Sequence, residues 1–163
     1  MFERRGARRT PAPMTVASSD FVEGGAIPRV HTCQGADKPP SLSWIGAPAG
    51  TASFVVIVDD PDAPDPASPR MTWVHWVVYN LPGTTAGLSV PLLGAAREGL
   101  NDWHTPGFRG PCPSVGRHRY VHKVYALDTV LPDLKRADKA VVEKAMSEHV
   151  VGYGELVGTY QKE

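Results

Sequence analysis

The sequence predicts a mainly β fold, and three observations carry that prediction. Sixteen prolines and sixteen glycines are spread through the 163 residues, a distribution that favours many short strands and structured turns over a helical bundle. Two runs, Phe54 to Val58 and Trp73 to Tyr79, are rich in aromatic and β-branched residues, too short for helices and bounded by turn formers, so both read as buried strands. A third stretch, Val115 to Leu127, alternates. His118, Tyr120, His122, Val124 and Ala126 share one face, and Arg119, Val121, Lys123, Tyr125 and Leu127 the other.

One domain suffices for this length, and it buries about 70% of its extended-chain surface. Apolar content of 42% and charged content of 21% are those of a soluble globular chain, and no stretch approaches a membrane span. Seventeen basic and seventeen acidic residues give zero formal net charge, so no global electrostatic pull toward nucleic acid is indicated. The two cysteines, Cys33 and Cys112, match no C-x-x-C spacing for zinc or redox work. Two buried thiols are expected, with a disulfide the alternative in an oxidising compartment.

Taken in order, residues 1 to 13 carry Arg4, Arg5, Arg8 and Arg9 but no apolar h-region, which argues against a secretory signal. They are expected to be a disordered extension, with the domain at 14 to 163, Met14 favoured as the true start over a phosphate-binding arm, and a cytoplasmic location. Val16, Phe21 and Val30 sit in short segments broken by Gly24, Gly25 and Pro28, as in an edge strand and turn. His31 and Cys33 are expected near a pocket wall. Leu42, Trp44 and Ile45 have the spacing of a short half-buried strand.

Between the two apolar runs, Asp59, Asp60, Asp62 and Asp65 alternate with Pro61, Pro64, Pro66 and Pro69. Four prolines in nine residues delete amide donors and fix the backbone, which predicts a stiff loop rather than a helix or an interior strand. His75 falls in the second run, where most side chains should be apolar. Residues 83 to 113 read as a long ordered loop. Leu134 to Val151 reads as the one helix: Val141, Ala145 and His149, beside Val142, Met146 and Val150, form an apolar stripe, with Asp138 as N-cap, Gly152 and Gly154 as stops, and His149 as a core histidine. Glu155 to Gln161 reads as a last strand.

Three pieces stand in a telling order: Asp60-Pro-Asp-Ala-Pro, the Trp73-Val-His75 strand, and Gly110-Pro-Cys-Pro followed by Gly116-Arg-His-Arg-Tyr. In this order and spacing they resemble the phosphatidylethanolamine-binding protein family, also called Raf kinase inhibitor-like proteins, in its bacterial and archaeal branch. The resemblance runs from Met14 to Gln161. It implies a β-sandwich of a larger and a smaller sheet with a few peripheral helices and a small anion pocket near one end. It also implies a non-enzymatic binding role, with Asp60, Asp62, His75, Gly110, His118 and Tyr120 as the ligand-binding residues, and cis prolines among Asp60-Pro61 and Ala63-Pro64. The ligand it implies bears a phosphate, as phosphoethanolamine, a phospholipid headgroup or a phosphorylated group does. A kinase or protease is the kind of protein partner it suggests, a homodimer is admitted, and no cofactor is expected. Two departures stand out. Gln34-Gly-Ala-Asp-Lys-Pro-Pro replaces the Asp-Gly-Glu-Asn-x-Ser-Pro of many bacterial relatives, and Arg70 and Met71 occupy the region of a further aromatic in eukaryotic members, whose ligand preference is therefore not carried over.

The residue chemistry points the same way. A phosphate group wants donors, which His75, His118, the Tyr120 hydroxyl and the Gly110 amide can supply. Asp60 is expected to hold the His75 ring and favour its protonated form. Two competing classes are a hydrolase or phosphoryl-transfer enzyme using Cys112 with His118, and a zinc protein built on His75, His118, His122 and an aspartate. The first lacks a helix N-terminus to activate the thiol. In the second, His118 and His122 are spaced over roughly 13 Å along one strand.

Overall fold

The computed structural model describes residues 10–88, 90–92 and 94–163. Its strands are β1 (Ala12–Pro13), β2 (Thr15–Ala17), β3 (Leu42–Ile45), β4 (Ser53–Ala63), β5 (Met71–Pro82), β6 (Gly87–Leu88), β7 (Arg97–Glu98), β8 (Arg117–Leu127) and β9 (Val150–Gln161). A 3-10 turn at Arg29–His31 and a helix, α1 (Lys139–Met146), complete the elements. The larger sheet has the order β1-β9-β8-β4-β5-β7 and the smaller β2-β3-β6, so the mainly β expectation with a larger and a smaller sheet holds.

β4 explains why its sequence is a continuous apolar run. It lies in the middle of the larger sheet, antiparallel to β5 and to β8, and both of its faces are covered. Phe54, Val56 and Val58 pack into one core with Val16, Leu42, Trp44 and Leu88 of the smaller sheet. Val55 and Ile57 pack into a second core with Leu131, Val142 and Met146 under α1. A strand buried on both sides needs apolar residues at every position, whereas β8 has one polar face and alternates.

Several expectations are corrected. The acidic stretch is not all loop: β4 continues through Asp59 to Ala63, with register shifts between Val58 and Asp59 and between Asp60 and Ala63. Pro61, which has no amide to donate, sits within the second irregularity, where a bulge tolerates it. Ala63-Pro64 is cis and Asp60-Pro61 is not.

The helix is shorter than its stripe suggested. Asp138 caps it, accepting from the Val141 amide at 3.0 Å, and an N-cap is by construction the first boundary residue. Upstream, Lys135 adopts φ 58° and the Leu134 amide donates to the Tyr79 hydroxyl at 3.1 Å, so that segment is not helical. Val141 is exposed. His149 lies past the helix end with its ring partly in solvent and Nδ1 2.8 Å from Asp128, so it is not a core residue.

Cys33 and Cys112 form a disulfide with Cα atoms 5.4 Å apart, and both residues are exposed. Two buried thiols are thereby ruled out. The expected disordered extension is also corrected at its inner end: Ala12 and Pro13 pair in parallel with Gly152 and Tyr153. Residues 1 to 9 of that expectation lie outside the described residues. Among the described residues no helix is long and apolar enough to cross a membrane.

Candidate functional site

Because β4, β5 and β8 are adjacent, the acidic end of β4, the start of β5 and the start of β8 meet at one end of the larger sheet. A cavity of about 270 Å³ opens there. Asp60 from β4, His75 from β5, and His118 and Tyr120 from β8 all line it. Trp73, Met71 and Trp103 add apolar wall, and Cys112, Pro113 and Ser114 bring in the segment held by the disulfide. Four of the six residues expected at the site are thus brought together.

The internal pairing differs from the expectation. Asp60 does not hold His75. Its Oδ2 lies 2.6 Å from His118 Nδ1, and its Oδ1 accepts from the Asp62 amide at 2.7 Å. The register explains this, since the residue opposite Asp60 on β5 is Trp73, not His75. His118 Nε2 lies 2.8 Å from the Val115 carbonyl. A carbonyl only accepts, so Nε2 carries a hydrogen and the Nδ1 to Asp60 contact shares a further proton.

His75 is fixed by the loop instead. Its Nδ1 donates to the Arg109 carbonyl at 2.6 Å, which leaves the lone pair of the neutral ring on Nε2. The ring stands edge-on to Trp103 and to Tyr120, each with centroids 5.2 Å away. Burial pushes the His75 pKa below the usual imidazole value, with the Arg109 carbonyl and the Asp60 charge opposing. The ring without a ligand is therefore neutral near pH 7, against the expectation of a standing positive charge. Burial, with Asp60 nearby, likewise raises the Tyr120 hydroxyl well above its usual value, so it remains a donor. Neither His75 Nε2 nor the Tyr120 hydroxyl has a hydrogen-bond partner among the described residues.

Asp62 and Gly110 support the site without lining it. Asp62 accepts from the Arg119 amide at 2.8 Å and from its guanidinium at 2.8 and 3.0 Å, and the guanidinium contact holds its carboxyl below the usual range. That fork joins the end of β4 to the start of β8. The Gly110 amide is not available to an anion, because it donates to Asp37 Oδ1 at 2.9 Å. A Cβ on Gly110 would stand 2.1 Å from the His31 carbonyl oxygen, so glycine is required here for close packing of two loops.

The Cys112 and zinc alternatives lose the groups they were built on. The Cys112 sulfur is in the disulfide, so no thiolate stands beside His118. His122 turns Nδ1 toward the carbonyls of Tyr120 and Leu156 and is pushed down to about 4 by burial. Among the described residues no three His, Cys, Asp or Glu side chains are grouped to hold a metal ion. Among the lining residues outside the expected set are Met71, Trp73 and Ser114, and beside the lining stands Arg109, whose guanidinium carbon lies 5.3 Å from the Trp103 ring centroid. Of these only Trp73 carried a signal, being a large aromatic two residues from His75 and hence on the same strand face.

The model of the phosphatidylethanolamine-binding protein family matches residues 17–161. The chain belongs to this family. A protein of Methanothermobacter thermautotrophicus called a UPF0098 protein is 41% identical over 155 residues, covering 91% of this chain and 99% of the relative. Among solved structures, a phosphatidylethanolamine-binding protein homologue of Chlamydia trachomatis is 38% identical, with a TM-score of 0.85 and coverage of 93% of this chain and 99% of that one. Escherichia coli YbcL, described as a new member of the mammalian family, is 32% identical with a TM-score of 0.82, covering 92% and 99%. The end-of-sheet cavity of this family member is thus built from the same Asp60, His75 and His118-Arg-Tyr120 motifs that carried the resemblance.

Proposed function

We propose that this family member is a non-enzymatic binding protein whose cavity takes a small ligand bearing a phosphate group. One observation carries the reading: His75 Nε2 and the Tyr120 hydroxyl are unspent polar atoms in the cavity lining, while Asp60 and His118 already occupy each other. A hydroxyl donor beside an imidazole that can take up one proton suits an anion's oxygens. The half-buried rings of Trp73 and Trp103 shield these atoms from part of the solvent, which strengthens charged hydrogen bonds. Asp62 and Gly110 serve this site by positioning its walls, and no residue acts as a nucleophile.

Titration calorimetry with phosphoethanolamine at pH 6.5 tests the reading. Saturable binding at one site is expected, weakened about tenfold in His75→Gln by loss of a charged hydrogen bond. No binding at millimolar phosphoethanolamine overturns it. The compartment is a separate matter. Disulfides persist in oxidising surroundings, so the Cys33–Cys112 bond weighs against the cytoplasmic placement, and thiol trapping of the protein in cell fractions checks this.

A further inference from the structure

Among the described residues, two cations beside the cavity are left over by the site's own pairing, Arg70 next to Met71 and Arg109, and of the two it is Arg109 whose backbone is tied to His75. Arg119 is spent on Asp62, Lys123 and Lys139 are both spent on Asp59, and Arg117 reaches Thr159. The Arg109 side chain has no carboxylate or carbonyl partner among the described residues. Its guanidinium is parked over Trp103, a ring that lines the cavity and stands 5.2 Å from His75. The backbone of the same residue is tied to His75 twice, its amide donating to the His75 carbonyl at 3.2 Å and its carbonyl accepting from His75 Nδ1 at 2.6 Å. The root of the side chain is therefore fixed relative to the ring, while its tip is held only by an exposed stacking contact, which is weak and readily exchanged.

From this geometry we infer that Arg109 is the ligand's second cationic grip, and that the site selects dianionic phosphate monoesters over monoanionic phosphate diesters. The inference rests on the phosphate-binding reading and sharpens it. A guanidinium presents a planar fork that matches two phosphate oxygens and keeps its charge at every physiological pH. His75 contributes a second positive charge only after taking up a proton. Two cations facing one phosphate balance a dianion, and an arginine fork needs two unesterified oxygens while His75 and Tyr120 engage a third. A diester offers only two such oxygens and one charge. The carboxylate in the same lining does not offset the balance, because Asp60 shares a proton with His118 Nδ1 while His118 Nε2 keeps its own hydrogen on the Val115 carbonyl, so the pair carries no net charge.

The test compares methyl phosphate with dimethyl phosphate by calorimetry at pH 7.5 in the wild type, Arg109→Gln, Arg109→Lys and, as a net-charge control, Arg136→Gln near α1. The wild type is expected to prefer methyl phosphate by about tenfold or more, as for one charge-assisted bidentate contact. Arg109→Gln should collapse that preference to roughly threefold or less. Arg109→Lys, which keeps the charge and loses the fork, should fall between them, and Arg136→Gln should match the wild type. A wild type that binds both probes equally, or an Arg109→Gln variant that keeps the full preference, overturns the inference and leaves the phosphate-binding reading standing. A wild type that binds neither probe nor phosphoethanolamine overturns both. Unchanged near-ultraviolet circular dichroism in each variant confirms that the fold is retained.

Discussion

His75 in β5 and His122 in β8 flank the central strand β4, both lowered by burial, and they answer pH differently once a ligand is present. For either ring the unfolded chain binds more protons than the folded one between the ordinary imidazole value and the lowered one, so stability is present above about pH 6.5 and is lost as pH falls. For His122 that loss runs down toward about 4. His122→Asn should flatten the acid limb of the melting temperature between pH 6.5 and 4.5, and an unchanged limb would remove His122 as its cause. For His75 the bound anion raises the pKa, so binding takes up a proton and affinity grows as pH falls from the bound-state value toward the lower unliganded one. Sulfate is the cleaner probe, because a phosphate ester loses its second proton near pH 6. Calorimetry from pH 5.5 to 8.5 should show this slope in the wild type and a flat profile in His75→Gln. That His118 and Tyr120 face the same way was legible from strand alternation, and His75 was joined to them by the family resemblance; all three line the one cavity. The partner of Asp60 was not legible, because a register shift inside β4 decides it, and nothing in the order of residues prints a register shift.

At the scale of elements, strand identities were legible and segment ends were not. β4, β5 and β8 carry their burial in their patterns, whereas α1 was read too long because an apolar stripe continues into segments that pack without being helical. Loop contacts were the least legible, and the disulfide is the chief case: Cys33 and Cys112 are 79 residues apart, and only the tertiary fold brings them together. That bond fixes the 110–114 wall segment to the loop after His31, alongside the Cys33 amide donating to the Pro111 carbonyl at 3.1 Å. Closing a loop of this length stabilises by about 4 kcal/mol in the chain-entropy account. Reduction, or Cys33→Ser, should therefore lower the melting temperature by roughly ten degrees and weaken phosphoethanolamine binding through the loosened wall. A full melting temperature in protein shown by mass to be reduced would contradict this.

At the scale of the whole molecule, the question is how the larger sheet ends. Its long outer strand, β9, would offer a row of unpaired backbone groups, a template for a second chain. The first part of this chain covers that edge. Ala12 and Pro13 pair with Gly152 and Tyr153, the Met14 amide donates to the Tyr153 carbonyl at 2.8 Å, and Glu23, Gly24, Gly25 and Ile27 bond to Val157 and Thr159 further along. The opposite edge, β7, has only two residues. Gly154 reads from sequence as a helix stop but acts within β9 instead. A Cβ there would stand 2.2 Å from the Met14 carbonyl oxygen, so glycine lets the N-terminal segment lie against the strand. The covered edge is closed to strand pairing with a second chain, and it divides the N-terminal extension in two. Deleting residues 1 to 9 should leave the melting temperature unchanged. Deleting 1 to 13 removes β1 and a few backbone hydrogen bonds worth about 2 kcal/mol together, which should cost roughly four to eight degrees and, by baring Gly152 and Tyr153, promote association in light scattering. Gly154→Ala should reproduce the loss in the full-length chain by prising the same segment away. Equal melting temperatures for the two deletions would show that β1 contributes nothing, and a dimer in the intact chain would show that the covered edge is not what sets its assembly.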